Sequence, residues 1–235
     1  MCAGDQGRQP GTGDAGGAPA GNGDGGGNVS PSHDELTYGV AQGAALMLDT
    51  LGVLDPAAGE EAFLDVPTTP FRVARMYVDE LLSSYQPGKL EALIQGFTKF
   101  PAPHGRQEMV VLSPIPFISL CAHHMIPFIG TAHVGYIPRS EVVGLSKIPR
   151  VVDFFSHKLQ VQERMTSEIA DFLEEHLQPV GLIVLLSARH LCMEARGVRK
   201  PGVYTRTSAL RGMVLDDVGM KDEFYHLIGL PSAGG

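Results

Sequence analysis

Tryptophan is absent from this chain, and cysteine occurs only three times, at Cys2, Cys121 and Cys192. So few cysteines make no disulfide framework, and the expected setting is reducing and cytoplasmic. Long apolar runs are missing too. No stretch approaches the ~20 residues of a membrane span, and no charged-then-apolar leader opens the chain, so no membrane partner is expected. Basic residues are outnumbered, 18 Lys and Arg against 26 Asp and Glu, for a net charge of −8. That balance argues against a nucleic-acid partner, which needs a basic face. It leaves room for a phosphorylated small molecule, because Lys147, Arg150, Arg196, Arg199, Lys200, Arg206 and Arg211 all fall in the second half. With 43% apolar and 19% charged residues, one globular domain with a sizeable core is expected.

From Met1 to about Val29 the residues are mostly Gly, Ala, Asp, Asn and Pro. Such a segment cannot offset its ordering entropy, which predicts a disordered tail over 1–31 ahead of a single domain over 32–235. Within that domain, N-terminal helices are expected over about 32–85 and a core over about 105–235. Leu36, Val40, Ala44, Met47 and Leu51 recur at helical spacing. A second helix is expected to start at Thr69-Pro70, hydroxyl cap then proline, with Val73, Met76, Tyr77 and Leu81 on its apolar face. Strands are expected over Met109–Leu112, Phe117–Cys121, Gly130–Ile137, Leu182–Cys192 and Thr205–Val214. Helices are expected over Pro149–Phe155, Val161–Leu177 and Asp222–Ile228. The order is that of an α+β fold in which helices cover one face of an antiparallel sheet.

The chemistry concentrates in Cys121-Ala122-His123-His124 and His190-Leu191-Cys192, since each folded cysteine has histidine within three positions. Thiolate plus imidazole suits zinc, and three such ligands leave a fourth position for water, as in catalytic sites. Buried cysteines that happen to lie near histidines are the plain alternative. An extended backbone after Cys121 favours His123 as its co-ligand; a turn favours His124. On a strand running through Cys192, His190 and Cys192 point to one face. His133 and His157 read as hydrogen-bonded structural histidines.

Between and after these half-motifs lie Gly144-Leu145-Ser146-Lys147-Ile148-Pro149-Arg150, Gln160-Val161-Gln162-Glu163-Arg164 and Cys192-Met193-Glu194-Ala195-Arg196-Gly197-Val198-Arg199-Lys200-Pro201-Gly202. With Thr69-Pro70-x-Arg72 and Met76-Tyr77-Val78-Asp79-Glu80, in this order, they closely resemble the GTP cyclohydrolase I family from about Thr69 to Phe224. The resemblance implies the tunnelling fold, whose sheets join across subunits into a closed barrel, usually as a decamer of two five-membered rings. It implies a turn after Cys121, with Cys121, His124 and Cys192 holding Zn2+ and His123 and His190 as catalytic histidines, aided by Ser146. It also implies GTP as substrate. Glu163 would accept from N1–H and the 2-amino group of guanine, Gln162 would help position base or ribose, and Lys147, Arg150, Arg196 and a neighbour's Arg72 would contact the triphosphate. The implied reaction is hydrolytic opening of the imidazole ring at C8, loss of formate and rearrangement to 7,8-dihydroneopterin triphosphate, the first step of a pterin or folate-type pathway.

Three positions depart from the family's pattern. Ala122 stands where Glu is common, Arg189 where arginine is rare, and Arg206 where an apolar residue is usual. All three move local charge in the positive direction, which is expected to disfavour a protonated imidazole. Drift beside the site is the plain reading; a paralogue with another purine nucleotide or altered later steps is the sharper one. The intact cysteine–histidine set argues against a non-catalytic shell. Its pairing with Gln162-Glu163 argues against a nitrile reductase or pterin synthase relative.

Overall fold

In a computed structural model, the structure describes residues 31–52, 68–102 and 108–230. The expected tail over 1–31 lies almost wholly outside the described residues. Helix α1, His33–Thr50, starts at a capping box: Ser32 Oγ accepts from the Glu35 amide, and the Glu35 carboxylate accepts from the Ser32 amide at 2.8 Å. Its buried residues are the small Ala41 and Ala44, whereas Met47 and Leu51 of the expected apolar stripe are exposed. Helix α2, Thr69–Arg75, has Thr68 at the cap position, one residue before the one expected, and Thr68 makes no side-chain cap bond. The chain then widens into a π-helical stretch, Met76–Leu81, so that Ala74 and Val78 turn inward and Met76 outward. A short helix α3, Lys89–Gly96, and a two-stranded ladder of β1, Lys99–Pro101, with β4, Glu141–Val143, carry too few residues to show a period in sequence.

The core is a five-stranded sheet in the order β5-β2-β3-β6-β7. Strand β2, Val110–Cys121, is continuous through a register shift between Leu112 and Ile115, joining two segments expected to be separate. It pairs antiparallel with β3, Pro127–Ile137, which pairs with β6, Gly181–His190, which pairs with β7, Tyr204–Gly212. Strand β5, Leu159–Gln160, adds a parallel edge beside Leu120 and Cys121, so the sheet is mixed rather than purely antiparallel.

Helices α4, Lys147–Ser156, and α5, Gln162–Leu177, lie against one face. Their Ile148, Val151, Phe155, Met165, Ile169 and Leu173 share one buried cluster with Phe117, Val134, Leu182, Val184, Leu186 and Ala188 of the strands. At about 25 cal/mol per Å2 of apolar surface, this interleaving is the main stabilising term of the fold. The expectation of helices on one face alone is not met. Helix α7, Val218–Leu227, covers part of the opposite face, where Phe224 packs with Ile137, Ile183, Leu185 and Val214. Gly135 makes that possible, since a Cβ there would stand 2.6 Å from the Phe224 ring. The α+β class stands, with one sheet face largely covered and the other covered at one end.

Candidate active site

The β2–β3 connection decides which histidine joins Cys121. After Cys121 the chain turns at once: the carbonyl of Cys121 accepts from the Met125 amide at 2.8 Å and from the His124 amide at 3.3 Å. Met125 closes the turn with φ +53°, in the left-handed region. Strand β5 holds the start of the turn, because the Ala122 amide donates to the Gln160 carbonyl at 2.9 Å. Gln160 is itself fully buried and donates to the Phe155 carbonyl and the Glu168 carboxylate.

The second half-motif differs from expectation. Strand β6 stops at His190, and Cys192 sits on a single helical turn, α6, Leu191–Glu194, not on the strand. The turn brings the Cys192 sulfur to the β2–β3 connection. The ligand atoms of Cys121, His124 and Cys192 lie within 4.8 Å of one another. His123 is outside this trio, with Nδ1 3.7 Å from the Cys121 sulfur. Burial, then the neighbouring Cys121 sulfur, pushes the Cys192 thiol up. Two sulfurs and one imidazole nitrogen at this spacing fit a small, borderline-soft cation.

His190 is held on both sides. Its ring stacks on the buried Phe128 ring, centroids 4.8 Å apart and planes within 2°. Its Nε2 lies 2.8 Å from Gln162 Oε1. The Gln162 amide nitrogen faces the carbonyls of Leu186 and Thr205 and the hydroxyl of Thr207, at 3.3, 3.0 and 3.0 Å. Two of those three are obligate acceptors, so the amide must direct NH2 toward them and its oxygen toward His190. His190 therefore carries its proton on Nε2 when neutral, and Nδ1 is left for other work. Burial lowers the His190 pKa below its ordinary value, and the Glu163 carboxylate pulls it back up.

Glu163 is exposed in the first turn of α5. Arg196 follows α6, near enough to Cys192 to favour its thiolate. Ser146, Lys147 and Arg150 form a second group at the start of α4, and no hydrogen bond or ion pair joins them to the cysteine cluster among the described residues. Arg72 lies on α2, where it donates to Thr69 Oγ1 at 3.4 Å. His133 is bonded to Ser113 and Thr131, and His157 to Ser83.

The electrostatic expectation for Arg189 is corrected. Its guanidinium is paired with Glu194 at 2.8 and 2.6 Å, and burial rather than arginine accounts for the depressed His190. Phe128, Thr166, Thr207 and Glu194 were not singled out from sequence. Phe128 faces His190 only through the β3–β6 register, for which adjacency in sequence offers no signal.

The model of the family described as GTP cyclohydrolase I matches residues 52–229. A GTP cyclohydrolase 1 of Pelotomaculum thermopropionicum is 47% identical over 68% of this chain and 82% of its own length. Those of a Synechococcus strain and a Sulfurihydrogenibium strain are 48% and 46% identical, over 70% and 80% of this chain and 69% and 93% of theirs. Among solved structures, an archaeosine synthase QueF-like protein in the apo form covers 46% of this chain and 97% of its own at 18% identity, with a TM-score of 0.39.

Proposed function

The chain belongs to the GTP cyclohydrolase I family, and we propose that Cys121, His124 and Cys192 hold one zinc ion in an enzyme that converts GTP to formate and 7,8-dihydroneopterin triphosphate. The observation that carries this reading is the meeting of those three ligand atoms within 4.8 Å, from segments far apart in sequence. When bound, zinc supplies an acidified water near neutral pH.

The chain's own residues do the rest. Glu163 accepts two hydrogen bonds from N1–H and the 2-amino group of guanine, a donor pair that adenine lacks. His123 delivers a proton to N7 as the imidazole ring opens. His190, oriented by Gln162 through Nε2, carries a proton on Nδ1 to the ribose ring oxygen, with Ser146 assisting. On this reading Gln162 positions His190 rather than touching the base, because its side chain is 1% exposed and bonded on every polar atom. Lys147, Arg150, Arg196 and Arg72 bind the triphosphate, arginine by bidentate forks.

Among the described residues no hydrogen bond or ion pair links Ser146, Lys147 or Arg150 to the cysteine cluster, and β7 presents an unpaired edge. Both features suit a homo-oligomer, a decamer in this reading, whose sheets close into a barrel and whose sites combine residues of neighbouring subunits. No helix of the described residues is long and apolar enough to cross a membrane; a cytoplasmic setting and a place in pterin or folate-type biosynthesis belong to the proposal. Incubation of the purified protein with GTP should release formate and, after oxidation, a fluorescent pterin. Cys192→Ser should abolish both zinc retention and turnover. Full zinc occupancy in that variant would refute the ligand assignment.

A further inference from the structure

The helical turn that presents Cys192 is four residues long, far below the length at which a helix persists alone. Something must hold it. On its N-terminal side, β6 is anchored by both neighbours, with Arg189 opposite Ile129 and Tyr204. On its C-terminal side lies the Glu194 carboxylate. Arg189 Nε donates to Glu194 Oε1 at 2.8 Å, and Arg189 Nη2 donates to Oε2 at 2.6 Å. The same Oε1 accepts from the Gly202 amide at 3.3 Å. One carboxylate therefore ties together the end of the strand, the end of the turn and the loop that returns to β7, with Cys192 between its two anchors.

An ordinary exposed ion pair contributes little. This one differs in two ways. It is a bidentate fork, which fixes direction as well as distance, and although the Arg189 side chain is 45% exposed, the Glu194 side chain that it grips is only 9% exposed.

We propose that Arg189 and Glu194 act as a positioning clamp, holding the Cys192 turn in its ligand-ready place before an ion arrives. The proposal rests on the metal reading above. Neither residue touches the ion; both act through the backbone that carries Cys192. Supporting contacts of this kind characteristically set metal affinity.

The test uses the full-length protein and Zn2+ alone, with affinity read by chelator competition. Arg189→Met keeps the aliphatic stem and removes the fork; zinc binding should weaken by about 10–100-fold. Arg189→Lys, a point charge without the fork, should fall between that variant and the parent. Amide exchange in the metal-free protein should quicken within 191–202 and stay unchanged in β3. If Arg189→Met does not fold, Glu194→Gln keeps one acceptor for Gly202 while losing the charged fork, and should weaken zinc by about 10-fold. Affinity within about twofold of the parent in a folded variant, or exchange that quickens uniformly, would overturn the clamp. Cys192→Ser separates the two ideas. If it binds zinc like the parent, the metal reading has failed; if it loses zinc while Arg189→Met does not, only the clamp has.

Discussion

Replacing Gln162 by Met tests how His190 is held. Methionine has a similar length and an apolar tip, so the site stays filled while every polar contact is lost. The Gln162 amide gives two protons to three acceptors and accepts one from His190. The two carbonyls keep a second lone pair for sheet bonds, and Thr207 keeps its contact with Thr166 at 2.6 Å, so their loss is partial. The His190 Nε2–H loses its acceptor in a half-buried place. At about 1 kcal/mol for each neutral bond and roughly 1–3 for an orphaned group, the destabilisation should be about 2–4 kcal/mol. For a domain of this size that is a fall in Tm of roughly 5–15 °C. Kinetically, kcat should drop while KM for GTP changes little, because the residue acts through His190 rather than on substrate. NMR of the His190 ring should show the Nε2–H tautomer in the parent and a mixture in the variant. A raised KM with an unaltered His190 spectrum would refute this reasoning and return Gln162 to direct contact with the base or ribose.

Glu163→Gln should lower activity on GTP by orders of magnitude with zinc content normal, since in the proposed role one acceptor for guanine becomes a donor. The same change removes the carboxylate that raises the His190 pKa; the limb of the rate profile that falls as His190 loses its proton should therefore move to lower pH, and an unmoved limb would count against His190 as the acid. Gly135→Ala should destabilise by about 1–3 kcal/mol, read by thermal unfolding, because the new methyl meets Phe224 at 2.6 Å; unchanged stability would show that α7 moves away without cost. Deleting residues 1–29 should leave oligomeric state and turnover unchanged, as their composition gives them little to bury; a smaller species than the parent in size-exclusion chromatography would refute it.

Much of the layout was legible because local periodicity reports burial. The run from Leu182 to Leu186 is buried on both faces of β6, and α5 ends at Leu177 as its apolar spacing requires. The short β1, β4 and β5 were not legible, since two or three residues hold no period. Nor was the second covered face, which depends on a glycine in β3 meeting a phenylalanine in α7.

At the site the division is similar. Residue types and motif order alone singled out Cys121, Cys192 and their histidines as candidates, because few side chains can bind zinc or carry a proton near neutral pH. The family resemblance implied the turn after Cys121 and the structure has it, but only the tertiary structure ended β6 at His190 and placed Cys192 on its own helical turn. It alone set Gln162 behind His190 and closed Arg189 onto Glu194. The reason is physical: chemical identity belongs to each side chain, whereas a hydrogen-bond partner is assigned by whichever strand register and helix face bring a donor within about 3 Å of its acceptor.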